Sequence, residues 1–149
     1  MMCYRKTMEK TAKTIHIHWQ RLLDGGETCQ RCGATETAVE EACRRLQEAL
    51  GPWGVRVVLE KTTLDPAAFA RDPQQSNLIT LNGRPLEEWL QASTGQSPCC
   101  GPCGDNECRT LELNGQVYEA IPAELIVQAG LLAARPFLPR LAGECCPRN

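Results

Sequence analysis

Glu27-Thr28-Cys29-Gln30-Arg31-Cys32-Gly33-Ala34-Thr35 decides how the chain is read, because an alternating apolar stretch runs into it and a helically patterned one runs out. Two thiols separated by two residues at the start of a helix can close a small disulfide ring. The helix N-terminus stabilises negative charge there, so the outer thiol ionises more readily. That pattern points to redox or soft-metal chemistry.

Upstream, residues 14–22 read Thr-Ile-His-Ile-His-Trp-Gln-Arg-Leu, with Ile15, Ile17 and Trp19 alternating against His16, His18 and Gln20. This is a strand with one buried face. His16 and His18 share the other face and read as polar surface, with a metal-binding pair as the alternative. Downstream, Val39, Cys43, Leu46 and Leu50 fall at helical spacing, and Gly51-Pro52 ends the pattern. Thr37 with Glu40 makes a capping box, Thr35 or Thr28 being earlier candidate starts. Cys43 lies in the apolar stripe and reads as a small core residue.

Val55 to Glu60 is rich in β-branched residues and predicts a second strand, hence a parallel strand-helix-strand unit. Asp65-Pro66 caps a short helix, and Ser76 to Leu81 predicts a third strand turned by Asn82-Gly83. Periodicity then disappears over residues 91–109, a cysteine-rich loop carrying Cys99, Cys100, Cys103 and Cys108. Asn114-Gly115 joins a hairpin, and Pro122 opens a helix through Ala134. Residues 1–12 read as a flexible tail containing Cys3, 13–135 as one domain, and 136–149 as a second flexible tail with the vicinal pair Cys145-Cys146.

Composition narrows the classes. A chain of 149 residues can bury a core without disulfide staples. Its net charge of -2, with lysines and arginines scattered, leaves no footprint for nucleic acid or an anionic membrane. No apolar run has the length of a signal peptide or a membrane span, so the expected location is the cytoplasm. Ten cysteines in that reducing compartment point to metal or redox work before a disulfide framework.

The order strand, Cys-X-X-Cys, helix, strand, short helix, strand, hairpin, helix resembles the thioredoxin-like superfamily. More narrowly, the chain resembles an uncharacterised bacterial family of cysteine-rich thioredoxin-like domains. The resemblance spans roughly residues 14–134 and rests on Cys29-Gln30-Arg31-Cys32, on Ser76 to Leu86, and on Cys108 to Leu113 continuing into Tyr118-Glu119-Ala120-Ile121-Pro122. It implies an α/β fold with a central mixed β-sheet flanked by helices, the cysteine-rich loop preceding a C-terminal β-hairpin and helix. It also implies a loose association with mercury or arsenic resistance. Two departures stand out. Asn77 occupies the place where thioredoxins keep a cis-proline, which predicts a trans peptide and a wider approach to the sulfurs. Cys100-Gly101-Pro102-Cys103 spells the thioredoxin tetrapeptide but runs into Gly104-Asp105-Asn106 instead of a helix, and reads as a loop chelate.

The expected function is thiol-disulfide exchange or soft-metal handling by a Cys29/Cys32 dithiol, Cys29 attacking and Cys32 resolving. The alternative is a non-catalytic module in which Cys29, Cys32, Cys100 and Cys103 hold a structural zinc ion; inert thiols are the third reading. Cys99, Cys100, Cys103 and Cys108 are expected to gather a thiophilic ion, whether zinc, mercury, arsenite or copper(I), with a loop disulfide as the alternative. Cys145-Cys146 is expected to collect such an ion, or to be an unpaired tail. No cofactor is required in these readings, and the partner is a soft metal ion or a disulfide-bearing molecule. Whether there is turnover, making the chain a thiol-disulfide oxidoreductase, stays open.

Overall fold

In a computed structural model of the chain, describing residues 13–22, 30–98 and 107–139, the alternation of Ile15, Ile17 and Trp19 becomes the fully buried face of β1 (Thr14–Leu22). β1 pairs in parallel with β2 (Arg56–Leu64) along its whole length, from Thr14 opposite Arg56 to Leu22 opposite Leu64. Between them runs α1 (Gln30–Leu50), the crossover that a parallel pair requires. β3 (Leu78–Leu81) lies antiparallel on the other side of β1, and the two-residue β4 (Arg84–Pro85) closes the edge. The sheet is therefore mixed, in the order β2-β1-β3-β4.

The short helix α2 (Pro66–Arg71) follows β2, capped as expected: the Asp65 carboxylate accepts from the Ala68 amide at 2.7 Å. α3 (Leu86–Leu90) follows β4, and α4 (Ala123–Ala134) starts directly after Pro122. α1 and α4 pack together over the inner face of β1, where Val39, Leu46, Ile126 and Ala129 complete the core with Trp19. Gly130 makes this approach possible, since a side chain there would overlap the Leu46 methyl groups. Among the described residues no helix is long and apolar enough to cross a membrane.

The structure departs from the sequence expectations at three places. First, α1 is already helical at Gln30, so Thr37 is not a cap; its hydroxyl donates back to the Gly33 carbonyl at 3.3 Å inside the helix. Second, residues 91–109 are not one long loop. β5 (Ser93–Pro98) pairs antiparallel with β6 (Glu107–Leu113), which pairs with β7 (Gln116–Tyr118), giving a second, three-stranded sheet. Ser-Thr-Gly-Gln-Ser-Pro has no strand signature of its own; pairing with β6 along all six residues imposes the conformation, and Gly95 lets Thr110 approach closely. Third, Phe137 and Leu138, assigned to the C-terminal tail, are half-buried against the core. The expected tails 1–12 and, from 140 onward, 136–149 otherwise lie outside the described residues.

Candidate functional site

Three segments meet at Cys32. The residue stands in the first turn of α1, and its position between helix and sheet leaves it only 2% exposed. Its sulfur lies 4.0 Å from Ser76 Oγ, which belongs to the segment leading into β3. Ser76 Oγ also accepts the Leu22 amide at 3.1 Å, so the last residue of β1 is tied to the same point.

Asn77 fixes that segment. It adopts φ 61°, the left-handed region that asparagine tolerates better than most residues, and no peptide among the described residues is cis. Its amide bonds at both ends, accepting from Trp19 Nε1 at 3.1 Å and donating to the Glu119 carbonyl at 3.3 Å. The stretch after β7 is held in turn by α1, because the Ile121 amide donates to the buried Thr35 hydroxyl at 3.1 Å.

The second sheet is fastened beside this centre by charge. Arg109, next to Cys108 on β6, grips Glu87 of α3 with Nε and Nη2 at 3.0 and 3.2 Å, and its Nη1 donates to the Gln74 carbonyl at 3.0 Å. The pair is well shielded, with side chains 12% and 9% exposed. Ser97 of β5 donates to the Glu119 carboxylate at 3.1 Å.

A cationic side chain also sits under α1. Arg21 stacks over the Trp19 ring at 4.6 Å and lies 3.8 Å from Glu36, one turn beyond Cys32. Across the helix, Lys61 of β2 holds Glu40 at 2.6 Å and Glu36 at 3.0 Å; these hydrogen bonds keep its ammonium above the ordinary lysine range.

Of the expected site residues, Cys32 and Cys108 are described. Cys108 is buried in β6 opposite Ser97, on a strand and not in a loop. Cys29, Cys99, Cys100, Cys103, Cys145 and Cys146, with Cys3, lie outside the described residues. Cys43 is buried as its place in the stripe predicts, and burial, then the Glu40 carboxylate, push its thiol up to about 11. His16 and His18 face across to β2, His16 pairing with Glu60 at 3.2 Å and His18 with the Thr62 hydroxyl at 2.8 Å. Among the described residues no three histidine, cysteine or acidic side chains stand together as a metal site.

Sequence reasoning missed Ser76, Thr35, Arg109 and Glu87. Ser76 reads as the first residue of a strand, and only the polar pair Ser-Asn ahead of an apolar run signals a different role. Arg109 and Glu87 carry no local signal, since long-range ion pairs leave no spacing in the sequence.

The model of a family described as a domain of unknown function, DUF2703, matches residues 15–130. An uncharacterized protein of Archaeoglobus fulgidus is 45% identical over 112 residues, covering 75% of this chain and 82% of the relative. No solved structure matches the chain.

Proposed function

The chain belongs to the DUF2703 family, and from that premise we propose that it is a thioredoxin-like protein of the reducing cytoplasm whose Cys29/Cys32 dithiol exchanges disulfides or receives a thiophilic metal ion. The observation that carries the reading is the burial of Cys32 in the first turn of α1, beside the segment that enters β3. The strand order β2-β1-β3-β4, with β3 antiparallel to β1 and two helices on one face, supports the thioredoxin-like connectivity.

In the exchange, the Cys29 thiolate attacks a partner disulfide, breaks its S–S bond and releases one thiol. Cys32 then attacks the mixed disulfide from the protein side, forming the Cys29–Cys32 bond and releasing the second thiol. Two electrons pass to the partner. A buried second cysteine suits this resolving step, because it is reached from within the molecule and shielded from other reactants. With a soft ion the same two sulfurs form a chelate instead, and Cys99, Cys100, Cys103 and Cys108 supply a second group of thiols close together in the sequence.

Intact mass spectrometry of the full chain in glutathione buffers, under conditions that keep bound metal, tests this. The reading predicts a reversible loss of two hydrogens that maps to the peptide containing Cys29 and Cys32, and faster iodoacetamide labelling of Cys29 than of Cys32. A zinc ion retained by both Cys-X-X-Cys pairs, protecting Cys29 and Cys103 until a chelator is added, would instead establish the structural-zinc alternative.

A further inference from the structure

We propose that the chain pairs with a second copy of itself along the open edge of its main sheet, β2 against β2, antiparallel about a twofold axis at Val58. β2 is the outer strand in the order β2-β1-β3-β4, nine residues long, without proline and in unbroken register with β1. Proteins commonly blunt such an edge with a bulge, a proline or an exposed lysine. β2 has neither of the first two. Its one lysine, Lys61, is held by Glu36 and Glu40 of α1 at 3.0 and 2.6 Å, so its charge is neutralised within the chain.

The backbone groups of the edge are open. Arg56 donates its amide to the Lys13 carbonyl at 3.0 Å, which directs Arg56, Val58, Glu60 and Thr62 toward β1 and Val57, Leu59, Lys61 and Thr63 away from it. The Val57 carbonyl accepts the Gln47 side-chain amide at 3.1 Å and keeps a second lone pair. The main-chain amides and carbonyls of Leu59 and Lys61 have no partner among the described residues. In the pair, Val57 and Leu59 of each copy exchange both backbone bonds with Leu59 and Val57 of the other.

Charge selects this register. Arg56, Val58 and Glu60 share the sheet face turned away from α1, and both charged residues are exposed. Arg56 makes no ion pair among the described residues, and Glu60 pairs only with the half-exposed His16. Four residues of strand, about 13 Å, separate Arg56 from Glu60, so one chain cannot join them. An axis at Val58 sets Arg56 of each copy opposite Glu60 of the other, with the two Val58 side chains in contact between them. These are non-hydrogen-bonded positions, where facing side chains come closest. An axis at Glu60 or Lys61 would set like charges face to face. An axis at Leu59 or Thr62 would leave every charge opposite an uncharged residue.

Sedimentation velocity of the full chain over a concentration series tests the proposal, with a reductant present so that no disulfide between copies imitates the contact. The expected result is a reversible doubling of mass. Arg56→Glu or Glu60→Arg alone places like charges opposite each other at both ends of the contact and should weaken the dimer about tenfold or more. Mixed in equal amounts, the two variants should recover it, because every facing pair is then of opposite sign. Hydrogen exchange of the wild type locates the contact without any substitution, and decides the matter if a variant does not fold. The Leu59 amide gains protection as the dimer forms, while the Val58 and Glu60 amides, bonded to β1, are protected throughout. A chain that stays monomeric into the millimolar range, or a dimer indifferent to both charge changes, overturns the proposal. So does a Leu59 amide equally protected at every concentration, which would mean that another part of the same chain occupies the edge.

Discussion

Trp19 Nε1 donates a 3.1 Å hydrogen bond to Asn77 Oδ1, linking the buried face of β1 to the residue that sets Ser76 beside Cys32. The bond closes a circuit: Asn77 reaches on to the Glu119 carbonyl, and Ile121, two residues later, returns to Thr35 on α1. The N-terminal end of α1 is therefore braced from the sheet side by hydrogen bonds as well as by apolar packing.

Asn77→Ala is expected to cost about 2–4 kcal/mol, since it orphans a buried indole N–H and forces a left-handed backbone on a residue that resists it. Asn77→Gly loses the same amide but not the backbone tolerance, and should be less destabilised by about 1 kcal/mol. Urea unfolding of both variants ranks them. Equal losses would show that the φ of 61° carries no energetic weight.

Local patterns made much of this fold readable. Ile15, Ile17 and Trp19 announced β1, and the stripe through Val39 and Leu46 announced the helix. Both Asn-Gly pairs turn as their composition predicts, with Asn82 and Gly83 at φ 52° and 83°, and Asn114 and Gly115 at 54° and 83°. What stayed hidden is decided at long range. β5 is a strand because β6 lies beside it, and the true start of α1 was masked by a Thr37–Glu40 spacing that mimics a capping box. The cysteines flagged Cys32, but its neighbour Ser76 lies 44 residues away and only the folded chain brings it there.

Gly130→Ala should destabilise the protein, although alanine is the better helix former. The gain of up to about 1 kcal/mol in propensity is set against about 1–3 kcal/mol for forcing a methyl group into Leu46. Adding Leu46→Ala to Gly130→Ala removes the clash, so the effect of the second change should be much smaller in that background than alone. A thermodynamic cycle from urea unfolding measures the coupling, and additivity would mean that α1 and α4 are not in close contact.

Arg109→Met strands the Glu87 carboxylate in a buried place and is expected to cost about 3–5 kcal/mol. Replacing both members, Arg109→Met with Glu87→Met, should recover most of that loss because no buried charge remains. Thermal unfolding distinguishes the two. A double variant as unstable as the single one would assign the cost to the lost Gln74 contact instead of the ion pair.

Cys43 gives a pH dependence whose sign is fixed by its surroundings. Burial, and after it the Glu40 carboxylate, raises its thiol from 9.0 to about 11, so the folded chain keeps a proton that the unfolded chain gives up in that interval. The contribution to stability is fully present below pH 9.0 and is lost as the pH rises through about 11, on the order of 2 kcal/mol in all. Lysines, tyrosines and other thiols titrate in the same range, so the diagnostic quantity is the difference in slope between the wild type and Cys43→Ala. The variant starts less stable, because it leaves a small cavity beneath α1, and then loses less with rising pH. The native protein should also leave Cys43 unlabelled by iodoacetamide at neutral pH and expose it only on unfolding, since the thiolate is the reactive species. Parallel stability curves for the two proteins between pH 9.0 and about 11 would show that Cys43 ionises as freely in the fold as outside it.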